Sequence, residues 1–178
     1  RRAAAYGLRL RSDEATDVLQ EASREQRVSV RRFATFAMGA FWSDACATVS
    51  LIERLELDPD DLTRSNAAYA LGQLARNPKA HREQIFTALV GRLKANIEPD
   101  NTEIAGLPRS TIRQSAAYGL LQLAANHRLD TASRNTISEL INTESDRYVL
   151  GMLIEVLAYD SEDQAVIRAL ARRRYSSL

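Results

Sequence analysis

The chain is predicted to be an all-α protein, a solenoid of about five helical hairpins, on three observations. A short arginine-led pattern recurs along it, the apolar residues inside each copy fall at helical spacing, and no segment alternates as a strand does. The pattern is an arginine, small residues three and four positions on, an aromatic or large residue, then leucines. Arg64-Ser65-Asn66-Ala67-Ala68-Tyr69-Ala70-Leu71-Gly72-Gln73-Leu74-Ala75 carries it in full. Arg113-Gln114-Ser115-Ala116-Ala117-Tyr118-Gly119-Leu120-Leu121-Gln122-Leu123-Ala124 repeats its skeleton. The anchors Arg1, Arg31, Arg64, Arg113 and Arg147 are spaced by 30, 33, 49 and 34 residues. A two-helix unit of this length, with one insertion, accounts for that spacing.

Unit one, residues 1–27, opens with Arg1, Ala4-Ala5-Tyr6 and Leu8, and its second helix, about 15–24, is acidic through Asp13, Glu14, Asp17, Glu21 and Glu25. Unit two, 28–59, begins at the capping candidate Ser29, continues through Arg31, Ala34, Phe36, Met38 and Phe41, and has its second helix at 46–57. Asp58-Pro59-Asp60 ends it, because proline breaks helices and favours turns. Unit three, 60–94, is capped by Asp61, carries the full motif, turns at Asn77-Pro78 and resumes as a helix over 81–94. The insertion, 95–110, contains Pro99, Gly106 and Pro108 with Ile97, Ile104 and Leu107; loops of this length in compact arrays are often functional. Unit four, 111–142, is capped by Thr111 and has its second helix at 131–141. Unit five, 143–178, is capped by Ser145 and ends in a helix over 163–173. Within units the apolar positions lie three, four, seven, ten and eleven after the arginine, one helical stripe.

Composition narrows the function classes. With 24 basic and 23 acidic residues, divided evenly between the halves, the chain has no global field that would draw a polyanion. All the basic residues but Lys79 and Lys94 are arginines, suited to planar bidentate contacts. Cys46, the lone cysteine, excludes an internal disulfide and a cysteine zinc site, and fits a cytoplasmic location. Residues 33–52 are apolar but carry Asp44 near their middle, which is costly in lipid, so two buried helices and no membrane span are expected. The start at Arg1-Arg2-Ala3, inside a repeat and without Met, suggests a piece of a longer chain.

The run Asp58-Pro59-Asp60-Asp61-Leu62-Thr63-Arg64-Ser65-Asn66-Ala67-Ala68-Tyr69-Ala70-Leu71-Gly72 resembles the short HEAT-like repeats named after the phycobilisome lyases, whose units read D-P-x-x-V-R-x-x-A-A-x-A-L-G. Leu62 and Thr63 depart from it, while Val30-Arg31 and Ile112-Arg113 keep its apolar-arginine pair. The resemblance implies a right-handed stack with first helices convex and second helices concave, partners binding the concave side. It also suggests that the repeated arginines pair with acidic or carbonyl groups of the adjoining unit, forming a ladder.

On these grounds a non-enzymatic scaffold is expected, binding a protein or peptide partner. Its candidate binding residues are Arg82, Glu83, Arg92 and Lys94, then Ile104, Leu107 and Arg109 at the insertion, then Arg134, Arg168 and Arg172. Their mixed charge suits a protein surface better than a phosphate backbone, which needs several uncompensated cations. A nucleic-acid-binding solenoid is the alternative, and the resemblance adds a bilin lyase-like chaperone. The cluster Arg172-Arg173-Arg174 reads as a favourable helix C-terminus. Tyr6, Phe33, Phe36, Phe41, Trp42, Tyr69 and Tyr118 are expected in the core. His81 and His127 lack companions at metal-ligand spacing, so neither metal nor cofactor is expected. His127, Asp130 and Ser133 are too crowded for a hydrolytic triad.

Overall fold

A computed structural model describes residues 12–40, 45–77, 80–95 and 112–160. Among the described residues the regular elements are eight α-helices and no strand. They are α1 (Ser12–Ala22), α2 (Val28–Met38), α3 (Ala45–Leu57), α4 (Asp61–Leu74), α5 (Arg82–Lys94), α6 (Ile112–Asn126), α7 (Thr131–Thr143) and α8 (Arg147–Asp160). The expected segments 1–10, 96–111 and 163–173 lie outside the described residues.

Aspartates set several of the helix starts. Asp60, extended at φ −98° and ψ 118°, accepts the Thr63 N–H at 2.8 Å. Asp130 accepts the Ser133 N–H at 2.7 Å, and Asp146 accepts those of Tyr148 and Val149 at 2.7 and 3.2 Å. Each satisfies N–H groups that the first turn leaves open. The expected caps Asp61 and Ser145 are therefore each one residue off. Ser29 sits inside α2, whose N-cap Arg27 contributes no side-chain bond. Thr111 is not among the described residues.

Helices α2, α4, α6 and α8 pack each on the next, while α1, α3, α5 and α7 lie against α2, α4, α6 and α8 respectively. Helix α3 also touches α1 and α5. The core between these layers is built on the stripe positions: Ala67, Ala68, Leu71 and Leu74 in α4 with Ala75 at its C-cap, and Ala116, Ala117, Leu120, Leu123 and Ala124 in α6, are all buried. Where α4 crosses α6 the backbones meet. A Cβ on Gly72 would lie 2.5 Å from the Cα of Gly119, and one on Gly119 would lie 2.9 Å from the Ala68 carbonyl oxygen.

The arginines tie neighbouring units together in two of the described copies. Arg31 donates through Nε and Nη2 to Asp58, and through Nη1 to the Glu25 and Gln26 carbonyls at 3.0 and 2.9 Å. Arg32, one residue on, grips Asp60 through Nε at 2.8 Å. In α6, Arg113 bonds Glu144 and the Leu93 carbonyl, and Gln114 donates to Asp146 at 3.2 Å. Both helices thus reach an acid-x-acid sequence just before the next helix of their row. Arg64 departs from this: it pairs with Asp61 in its own helix, while Ser65 bonds Ser115 across to α6 at 2.6 Å. Arg147 is exposed and lies over the Tyr148 ring.

The aromatic side chains correct the expected core. Phe33 and Phe36 are exposed, and Tyr69 and Tyr118 only half-buried. Phe36, Tyr69 and Tyr118 occupy the same repeat position and stack in a column, with centroids 5.6 and 5.4 Å apart and interplanar angles of 14° and 4°. A ring five residues after the arginine projects away from the buried stripe, so it packs on its counterpart in the next helix of the row. Tyr6, Phe41 and Trp42 fall outside the described residues.

Candidate functional groove between α3 and α5

The buried side of α3 is formed by Ala47, Thr48, Leu51 and Leu55, which turns Val49 and Glu56 outward and leaves Ile52 half-buried at the edge of the core. On α5 the buried Ile85, Leu89 and Leu93 likewise turn Glu83, Thr87 and Gly91 outward. Between these two outward stripes runs an open groove of about 730 Å³, with Ile52 and Glu56 on one wall and Glu83, Thr87, Ala88, Gly91 and Arg92 on the other. Gly91 has no packing reason to be glycine, since a Cβ there would meet nothing within 4 Å.

The charges around the groove differ in whether they are used. Glu53, on α3, is held by Arg54 at 2.5 Å and Arg24 at 3.6 Å. Glu56 and Glu83 form no hydrogen bond or ion pair among the described residues. Arg92 has a contact of its own. On the neighbouring α1, Asp17, Val18 and Glu21 are exposed, and Val49 of α3 is 61% exposed.

Of the residues singled out by sequence, Glu83 and Arg92 share this groove. Arg82 is half-buried on α5 with its Nε unpartnered, and Lys94 is exposed at the end of that helix; neither lines the groove. Arg134 is half-buried on α7, where it bonds the Thr131 hydroxyl at 3.4 Å. Ile104, Leu107, Arg109, Arg168 and Arg172 lie outside the described residues. Sequence reasoning missed Ile52, Glu56, Gln84, Thr87, Ala88 and Gly91. The available signals were an apolar residue at the edge of the buried stripe of α3 and an isolated glycine inside a helix, where glycine costs stability.

The hydrolytic residue types at the α6–α7 junction are otherwise engaged. Asp130 caps α7 through the Ser133 N–H, which with the side chain of Ser133 holds its carboxyl below the usual range, and His127 Nε2 meets the Ala75 carbonyl oxygen at 2.6 Å. Among the described residues no group of three or more His, Cys, Asp or Glu could hold a metal, and no helix is long and apolar enough to cross a membrane.

The chain matches no protein-family model and no curated protein. It is similar to the crystal structure of an engineered protein solved as a structural-genomics target. The two are 17% identical, the match covers 89% of this chain and 69% of that one, and the TM-score is 0.54. At that identity the likeness concerns fold alone.

Proposed function

We propose that the chain is a non-enzymatic, right-handed solenoid of HEAT-like hairpins that holds a protein partner along its second helices, in the cytoplasm. The α3–α5 groove carries this reading: it is an open, partly apolar cleft between successive second helices, bearing carboxylates not used by the fold. Repetition supports the solenoid, since Arg31 and Arg113 fill one repeat position and each bonds an acid just before the next helix of the row. Apolar Ile52 and Ala88 beside unpaired carboxylates suit a protein surface more than a phosphate backbone, which those carboxylates would repel. Ile104, Leu107 and Arg109, in the insertion that follows α5 in sequence, belong to the same proposal as further partner contacts.

A photo-crosslinking amino acid tests the proposal when placed at Thr87, in the groove, and separately at Tyr148, exposed on α8. Irradiated in cells that make the protein, the Thr87 position is expected to yield discrete protein adducts that survive nuclease, and the Tyr148 position none. Equal adducts from both positions, or adducts lost on nuclease treatment, would overturn it.

A further inference from the structure

We infer that the α3–α5 groove selects a cationic segment of its partner, seating lysine or arginine side chains against Glu56 and Glu83. This rests on the interaction reading above and names the chemistry of the partner. The argument is one of charge complementarity. Each wall presents one carboxylate without a partner among the described residues, Glu56 from α3 and Glu83 from α5. The neighbouring Glu53 shows what the fold does with a carboxylate it uses, clasping it between Arg24 and Arg54. Arg92 also lines the groove, so its guanidinium offsets one of the two carboxylates and the lining keeps a net negative charge.

The groove suits the stem of such a side chain as well as its head. Lysine and arginine lay three or four methylenes along apolar surface while the charge stays near water. Ile52 and Ala88 supply that apolar surface, and the missing Cβ of Gly91 leaves space beside it. The volume of about 730 Å³ lies within the span of about 300–1,000 Å³ typical of ligand clefts. Val18, Asp17 and Glu21 of α1 and Val49 of α3 are likewise exposed. The fitting occupant is an extended or helical segment in which basic and apolar residues are interleaved.

The test is selection of a random 12-residue peptide display library on the full 178-residue chain, with counter-selection on Gly91→Trp. Enriched peptides are then measured by fluorescence anisotropy against wild type and a Glu56→Gln/Glu83→Gln double variant. A short DNA duplex is the probe of opposite charge. Enrichment of Lys and Arg among apolar residues is expected, with affinity falling about tenfold or more in the double variant and the difference shrinking as salt rises. Binding to Gly91→Trp should be lost. Both altered surfaces are exposed, so circular dichroism melts should match wild type within a few degrees. Enrichment of neutral or acidic peptides, no enrichment, capture of the duplex in place of peptide, or equal affinity for the double variant would each overturn the inference. Partner adducts at Thr87 alongside non-cationic peptides would sink the cationic chemistry and leave the interaction reading standing. Cationic peptides bound through Glu56 and Glu83 without any cellular adduct would do the reverse.

Discussion

Arg31 and Asp58, 27 residues apart, form a two-pronged ion pair inside the protein, Nε to Oδ2 at 2.9 Å and Nη2 to Oδ1 at 3.2 Å. The Asp58 side chain is 0% exposed and also accepts the Asp60 N–H, so the pair joins the start of unit two to the turn that closes it and leads into the next helix of the row. Removing one partner strands a buried charge. Asp58→Ala is expected to cost about 3–5 kcal/mol. Glu144→Ala breaks the equivalent pair, but Arg113 is more exposed than Arg31 and can turn to water, so a smaller loss is expected. Urea denaturation of both variants checks the order. A Glu144 loss equal to or larger than the Asp58 loss would contradict it.

Asp60 performs two tasks that separate by mutation and by pH. Its carboxyl lies well below the usual carboxylate range, first through the Arg32 hydrogen bonds and then through those of Thr63, against the opposing effect of burial. The same contact raises Arg32. A depressed carboxylate contributes stability above its unfolded pKa of about 4, and that contribution fades as pH falls below it, because the unfolded chain then binds the extra proton. Asp60→Asn keeps an acceptor for the Thr63 N–H and loses the ion pair, a cost of about 1 kcal/mol at neutral pH that should shrink towards pH 3. Asp60→Ala also loses the cap and should cost about 1 kcal/mol more. Thermal melts of the three proteins between pH 3 and 7 measure this; a gap that widens on acidification would refute the sign.

The core was legible because burial on a helix is periodic: the stripe that selects Ala67, Ala68, Leu71, Leu74 and Ala75 is the buried face of α4 and its C-cap. The column of Phe36, Tyr69 and Tyr118 was misread as core, although a position five residues on is turned about 160° from the stripe centre at about 100° per residue. Aromatic identity outweighed angle. The partners of Arg31 and Arg113 were foreseen only as a kind of group, since nothing local ties Arg31 to Asp58 across 27 residues. The groove was half legible. Glu83 and Arg92 are its charged residues on α5, but Glu56 belongs to another unit and only packing brings α3 beside α5.

Three glycines inside helices should answer differently to the same substitution. At Gly72 and Gly119 an added Cβ meets backbone atoms at 2.5 and 2.9 Å, and backbone cannot step aside as a side-chain tip can. Alanine at either is expected to destabilise by about 1–3 kcal/mol or more through overpacking of α4 on α6. At Gly91 the Cβ enters open space, so alanine should stabilise by about 0.5–1 kcal/mol through helix propensity. Chemical denaturation of the three single variants reads the contrast. A Gly91→Ala loss as large as the others would mean that the groove wall is packed and would remove the space invoked for a partner side chain.

Thr35 carries a hydroxyl that the fold does not use. It is 0% exposed in α2, its Oγ1 has no hydrogen-bond partner, and the same repeat position holds Ala68 in α4 and Ala117 in α6. A buried hydroxyl without a partner loses its hydration and gains nothing in exchange, a penalty of about 1–3 kcal/mol. Thr35→Val keeps the branched shape and replaces the hydroxyl with a methyl, so it is expected to raise stability by about 1 kcal/mol. Thr35→Ala also removes the orphan oxygen but leaves a methyl-sized void, and the two effects should nearly cancel. If both variants instead destabilise, the hydroxyl has a partner in solution, and a double cycle with the residues packed on α2 would find it. Melting curves at neutral pH separate these outcomes, because a change of 1 kcal/mol moves the midpoint by about 2–4 °C in a domain of this size.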